Sequence, residues 1–294
     1  MAGNTGAPSA LTILRWTTLV VVAANIAFVA DYSTLGESPT ITEVVAEYGN
    51  MFVPAGFAKA IFVSILVAFL FFYFNALWTR RPRIRVYDKL VIPLALTSVL
   101  ASCWVVAFRQ KEIGLCTALI AAGVALGGVM FVRVASVSPS QHSGWLRVPF
   151  SLHFGAMTIA LLVAVTQWLN ASGLLTGTAM VPEDVATGFL AIAVATGGFI
   201  ALRYSDFVYP AVIASASGAM FIAQRTYYPH VAADALIVCV GMLVVVVLGA
   251  IALAQQPQRD PKAVALRRRA KVARRAHDEG WYLIEEASSS IMRL

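Results

Sequence analysis

Eight long apolar runs separated by polar connections set the pattern of this chain: Ala10 to Ala30, Val53 to Trp78, Lys89 to Phe108, Ile113 to Val132, Val148 to Leu169, Val185 to Leu202, Val208 to Ala223 and Val231 to Ala254. An α-helix rises about 1.5 Å per residue, so about 20 apolar residues cross the hydrocarbon core of a bilayer. The runs reach or approach that length. Backbone groups in hydrocarbon must be satisfied internally, and a helix does this within one segment. The pattern therefore predicts an all-α polytopic membrane protein with eight transmembrane helices. The run Asn50 to Trp78 is distinctive among them: it opens on Pro54-Ala55-Gly56, where Pro54 suits a first helical turn, and carries Lys59 near its start.

The polar connections alternate in charge. Arg15, the Arg80 to Lys89 cluster, Arg133 with Arg147, Arg203 and the tail from Arg259 to Arg275 fall on one side. Glu37, Glu43 and Glu47, then Arg109 and Lys111, then Glu183 and Asp184, then Arg225 fall on the other. Cytoplasmic connections carry the excess of Lys and Arg. Both termini are accordingly expected in the cytoplasm, and the acidic first connection, Tyr32 to Met51, is expected outside. Its segment ITEVVAEYG puts Ile41, Val44, Val45 and Tyr48 on one helical face; a lid over the bundle and a passive connection are both open readings. The first apolar run lacks a Lys/Arg-rich start and a cleavage site, which reads as a retained helix rather than a signal peptide.

Composition agrees with this class and narrows it. Hydrophobic residues make up 59% of the 294 positions and charged residues only 13%, against about 25% charged in soluble domains. The net charge of +7 sits beside the apolar runs, so it marks membrane topology and no nucleic-acid partner is expected. Cys103, Cys116 and Cys239 lie inside apolar runs without CxxC spacing, which indicates packing rather than a disulfide or a metal site. Pairs such as Gly123 with Gly127, Ala193 with Gly197 and Ala214 with Gly218 let helices approach closely. They suit packing within the bundle or a homo-oligomer.

Ionisable groups within membrane segments carry the candidate chemistry, since each is costly there unless paired or near water. Lys59 lies about 9 Å below Val53, on the side where Asp31 ends the first run and Asp234 starts the last. One reading is a pocket cation facing a carboxylate or phosphate; the other is a lysine that snorkels to the headgroups. His153, in VPFSLHFGAM, can ligate haem iron or serve as a hydrogen-bonded packing residue. Its depth places it nearer the cytoplasmic side than Lys59, away from a shared ligand contact. Microbial rhodopsins place a Schiff-base lysine on the last helix, and the last run here has none. Walker A, GxSxG and HExxH motifs and paired intramembrane carboxylates are lacking, so no enzymatic activity is expected.

Beyond Gln255 the composition changes. DPKAVALRRRAKVARRAHDEG reads as an amphipathic helix started by Asp260-Pro261 and stopped at Gly280. Arg267, Arg268, Arg269, Lys271, Arg274 and Arg275 would hold it at an anionic membrane surface, at roughly 1 kcal/mol per basic residue. A solvated topogenic tail is the alternative. Trp281 to Ile284 form a short apolar patch suited to the lipid interface or to a protein partner.

Two stretches carry a resemblance. VPAGFAKAIF, continuing to FNALW, resembles the second helix of the tryptophan-rich sensory protein/translocator protein family, which a Pro-x-Gly-aromatic segment opens. LRVPFSLHFGAMTIALLVAVTQWLN resembles that family's fifth helix, and SCWVVAF stands where relatives carry an Asn-x-x-Trp or Asn-Trp element. The matching positions are Pro54, Ala55, Gly56 and Phe57, then Trp104, then Pro149, Phe150 and Phe154. The resemblance implies a five-helix core over residues 1–170, with three further helices over 171–256 as in larger bacterial relatives and the basic tail over 257–294. It also implies a pocket for tetrapyrroles or other lipophilic molecules. Val53, Phe57 and Phe62 stand where tryptophans commonly surround the turn, and Lys59 replaces an apolar residue. That departure favours binding over tryptophan-dependent porphyrin chemistry.

The expected function is a non-enzymatic receptor or sensor in the cell (plasma/inner) membrane, with membrane lipids around it and a lipophilic ligand inside. The ligand-site candidates are Pro54, Ala55, Gly56, Phe57, Lys59, Trp104, Phe150, His153, Phe154, Asp31 and Asp234. Two alternatives stand: a scaffold subunit recruited through the tail, and a transporter with Lys59, Asp31 and Asp234 on its path.

Overall fold

The computed structural model describes residues 16–25, 27–28, 47, 65, 68–69, 71–72, 85–136, 147–175 and 182–255. Seven helices run through them: α1 (Trp16–Asn25), then α2 (Arg85–Arg109), α3 (Ile113–Ala135), α4 (Val148–Ala171), α5 (Pro182–Tyr204), α6 (Val208–Gln224) and α7 (Pro229–Gln255). Among the described residues there is no strand. Five segments are long and apolar enough to cross a membrane, namely Lys89–Arg109, Ile113–Ala135, Val148–Ala171, Glu183–Tyr204 and Pro229–Ala252, while α1 and α6 are shorter apolar helices. Of the second apolar run, Ile65, Ala68, Phe69, Phe71 and Phe72 are helical. The Pro54–Phe57 opening, Lys59, Asp31, the Arg80–Arg83 cluster and the tail beyond Gln255 lie outside the described residues.

The chain divides into Met1–Val247 and Leu248–Leu294. The packing below belongs to the first unit; the described part of the second is the final turns of α7.

Local chemistry ends each helix where it does. After α2, Lys111 takes a left-handed φ of 60°. Its N–H donates to the Phe108 carbonyl and that of Glu112 to the Ala107 carbonyl, both at 3.0 Å, which satisfies carbonyls that a helix C-terminus leaves open. After α4 the same closure uses Gly173, at φ 73°, with Gly173 N donating to Asn170 O at 3.0 Å and Leu174 N to Leu169 O at 3.1 Å. Pro93 lies inside α2 and has no N–H for the carbonyl four residues earlier. That carbonyl, Lys89 O, accepts instead from Arg133 Nη1 of α3 at 2.8 Å. Asn25 Nδ2 ties α1 to α2 by donating to Ser98 O at 2.6 Å and to the Ser102 hydroxyl.

α3 packs along α2 on one side and α4 on the other, while α6 packs against α4 and α5. Lipid tails are as apolar as leucine, so close packing and interhelical hydrogen bonds must hold such a bundle. The small-residue pairs serve that packing within the chain. A Cβ at Gly127 would meet His153 and Phe154, one at Gly197 would meet Met242 and Ile213, and one at Gly218 would meet Cys239. Gly155 allows a close approach between α4 and α6, where a Cβ would stand 3.1 Å from Val212 Cβ.

Candidate functional site

The end of the bundle that carries Lys89, Arg133, Arg147 and Arg203 is closed by polar contacts. Arg147, at the start of α4, donates from Nη2 to Ala135 O at 2.9 Å and from Nη1 to Tyr204 O at 3.3 Å. One guanidinium thereby caps the C-termini of α3 and α5, where a cation suits the helix dipole. In the short α5–α6 connection Ser205 takes a left-handed φ of 50°. Asp206 follows, only 5% exposed. Its Oδ1 accepts from Ser151 Oγ of α4 at 2.7 Å and from the Val208 and Tyr209 N–H groups at 3.0 and 3.1 Å. A carboxylate at the start of α6 meets the positive end of that helix.

Deeper in, aromatic rings on α3, α4, α5 and α6 form a connected cluster. Phe131 stacks on Phe154 with centroids 5.6 Å apart and meets Tyr204 edge-on at 5.2 Å. Tyr209 packs on Phe154 at 5.2 Å, and its hydroxyl donates to Thr158 Oγ1 at 3.0 Å. Thr158 in turn donates to Phe154 O at 2.9 Å. This α4–α6 contact is thus apolar in bulk and satisfied at its polar atoms.

The neighbouring face of α4 is different. Phe69, from the second apolar run, meets Phe150 edge-on at 5.6 Å and His153 at 5.2 Å, and Phe72 meets Phe150 at 4.9 Å. Gly127 of α3 gives the imidazole room, since a Cβ there would lie 3.5 Å from His153 Cδ2 and 3.8 Å from Nε2. His153 is buried, and its Nε2 has no hydrogen-bond partner among the described residues. Leaving a buried polar atom unmet costs about 1–3 kcal/mol, so such an atom calls for a reason.

The opposite end holds two more such atoms, Nε1 of Trp104 on α2 and Nε2 of Gln167 on α4. Trp104 stacks at a tilt on Phe108, centroids 5.1 Å apart, and packs on a small cluster with Ile113 and the buried Cys116. Thr117 Oγ1 joins α3 to α4 by donating to Ala164 O at 3.1 Å. Over this end the Lys111 ammonium bonds both carboxylate oxygens of Glu47, at 2.9 and 2.7 Å.

Of the residues singled out from sequence, the structure brings His153 and Phe150 together with Phe69, and sets Phe154 on the adjoining cluster. Trp104 lies near the opposite end of α2. Asp234, expected as a partner for Lys59, accepts from Thr187 Oγ1 of α5 at 2.6 Å. Asp31, Pro54, Ala55, Gly56, Phe57 and Lys59 are outside the described residues, as are Arg267, Arg268, Arg269, Lys271, Arg274 and Arg275. Among the described residues no group of three or more His, Cys, Asp or Glu side chains is placed to hold a metal ion. Sequence reasoning did not single out Gln167, Asp206, Ser151 or Phe69. An amide inside an apolar run and an aspartate in a three-residue connection were the available signals.

These helices and their aromatic-lined interior define an α-helical multi-pass membrane protein. Within that class the chain belongs to the family described as TSPO-like protein, whose model matches residues 12–251. This bears out the resemblance carried by the Pro54 turn, Trp104 and the Pro149–Phe154 segment, and the matched range reaches into α7. No curated protein and no solved structure matches the chain.

Proposed function

We propose that the chain is a non-enzymatic receptor or sensor of the plasma or inner membrane, with eight transmembrane helices and both termini in the cytoplasm, that binds a lipophilic ligand within the bundle. The observation that carries this reading is the unmet Nε2 of His153, buried among Phe69, Phe150 and Gly127. Ligand pockets are mostly apolar and aromatic, with a few polar groups that fix orientation. Family membership supports the same reading. A tetrapyrrole suits these residues: Phe69 and Phe150 offer ring surfaces, and His153 offers a nitrogen for a hydrogen bond or a metal contact.

Absorbance titration of the purified protein with haem and with protoporphyrin tests this reading. Saturable binding is expected, weakened about tenfold or more in His153→Leu if Nε2 contacts the ligand. Absence of any saturable spectral change in wild type removes the tetrapyrrole version.

A further inference from the structure

We propose that Lys89 and Arg133 form a headgroup site for an anionic phospholipid of the surrounding bilayer, whose acyl chains lie along the exposed faces of α2 and α3. The inference needs only that these helices cross a membrane, and it stands apart from the receptor reading above.

The site starts from a proline. Pro93 has no N–H for the Lys89 carbonyl, and Arg133 Nη1 of α3 donates to that oxygen at 2.8 Å. Two positive residues from different helices are thereby held at one place. Both are exposed. Neither has an ion-pair partner among the described residues, and the bond to Lys89 O is the one hydrogen bond that the Arg133 side chain makes there. A guanidinium has five N–H donors and an ammonium three, so most of this donor capacity is open to a ligand. The other basic residues of this end are engaged differently. Arg147 bonds the Ala135 and Tyr204 carbonyls, and Arg203 lies over the Tyr204 ring with its Cζ 5.6 Å from the centroid.

Depth and surroundings point to a lipid. Lys89 opens the apolar span Lys89–Arg109, and Arg133 stands just before the end of Ile113–Ala135, which sets both at the level of a bilayer's headgroups. The surface below them is apolar and open. Ile92 and Leu96 follow Lys89 at three- and four-residue spacing, and Val129 and Ala125 precede Arg133 at four-residue spacing, so each pair shares the face of its cation. All four are exposed. Because α3 packs along α2, the two stripes descend side by side for about 10–12 Å. A phosphate diester carries one negative charge and two free oxygens, which suits a planar guanidinium beside an ammonium. A zwitterionic lipid adds a cation, and no carboxylate pairs with these two residues to receive it. A lipid of net negative charge is therefore favoured, as at other basic surfaces beside membrane helices.

The test uses full-length protein in phosphatidylcholine nanodiscs doped with one of two photoactivatable probes, a phosphatidylglycerol or a phosphatidylcholine with the same diazirine-bearing acyl chain. Mass spectrometry of the cross-linked peptides locates the label. Wild type is expected to label around Ile92 to Leu96 and Ala125 to Val129 about tenfold more with the phosphatidylglycerol probe. The basic tail is expected to attract the same lipid, so labelling of these two segments, not total labelling, is the readout. Lys89→Gln leaves the carbonyl bond in place and should lower the preference about fivefold. Adding Arg133→Gln should abolish it, while labelling by the phosphatidylcholine probe stays unchanged and shows that the bundle remains intact. Equal labelling of these segments by both probes in wild type overturns the proposal, and so does an undiminished preference in the double variant. Inorganic phosphate separates the remaining alternative: if it displaced the phosphatidylglycerol probe at matched ionic strength, the site would take soluble phosphate and the lipid assignment would fall.

Discussion

The two ends of the bundle solve the problem of buried polar groups in opposite ways. At the Arg147 end, one guanidinium bonds the last carbonyls of two helices, one buried carboxylate accepts three donors, and Arg133 reaches the carbonyl freed by Pro93. At the other end, Trp104 and Gln167 keep unmet nitrogens, and an exposed ion pair joins Glu47 to the α2–α3 turn. Networks with every member satisfied rigidify a core, whereas a buried polar atom left unmet costs free energy. The Arg147 end, the base of the bundle, holds one unmet nitrogen, His153 Nε2, beside its bonded groups, whereas the opposite end holds two, on Trp104 and Gln167.

The largest effect that can break this comparison is at Asp206. Asp206→Ala strands the Ser151 hydroxyl and the Val208 and Tyr209 N–H groups at a buried junction. The expected loss is roughly 3 kcal/mol, with each stranded donor contributing about 1 kcal/mol or more. Denaturant or thermal unfolding in detergent measures it. A loss below about 1 kcal/mol would mean that the Asp206 hydrogen bonds do not hold the base. Arg147→Ala comes next. Two helix C-termini lose their donor and favourable charge, an expected loss of about 2 kcal/mol by the same measurement. Arg147→Lys should recover only part of it, because one ammonium cannot reproduce a planar fork between two carbonyls.

Much of this base lay within reach of sequence reasoning. The apolar runs placed the described helices to within a few residues: the fifth run, beginning at Val148, became α4 (Val148–Ala171), and the seventh became α6 (Val208–Gln224). Periodicity and length suffice there because a membrane helix needs a long apolar segment and closes its own hydrogen bonds. The turns were less legible. Nothing in the composition marks Lys111 and Ser205 as left-handed positions, since glycine is the usual signal and each is held by neighbouring hydrogen bonds or connection length instead. His153 was visible as an intramembrane ionisable group, but its unmet atom depends on Phe69, 84 positions earlier in the chain. Gln167 escaped notice for a related reason. An amide has no charge to flag it, and only the packing of α4 shows that its donor stays unpaired.

A smaller effect sharpens the contrast from the other side. Gln167→Met replaces an unmet buried donor by an apolar chain of similar length, so ligand-free stability should stay within about 1 kcal/mol of wild type and can rise. Unfolding in detergent without added ligand checks this. Paired with Asp206→Ala it gives the direct comparison: two buried polar residues on the same bundle, one costly to remove and one not. Similar losses in both would sink the distinction.

The smallest predicted effect lies at Lys111, where two contributions oppose each other. The Lys111 and Glu47 side chains are 42% and 50% exposed, and exposed pairs contribute about 0–1 kcal/mol. The residue also sits at φ 60°, a conformation that costs an L-residue about 1 kcal/mol and glycine almost nothing. Lys111→Ala loses the pair and keeps the backbone cost. Lys111→Gly loses the pair and removes that cost. The glycine variant should therefore be the more stable of the two by about 1 kcal/mol and should stay close to wild type, as read from unfolding midpoints at low salt. Raising the ionic strength should narrow the gap between wild type and Lys111→Ala, because screening weakens an exposed pair. The difference between the two variants should stay fixed, because a backbone dihedral carries no charge to screen. If salt altered that difference as well, the turn would be held by electrostatics rather than by the hydrogen bonds to Phe108 and Ala107 that close α2.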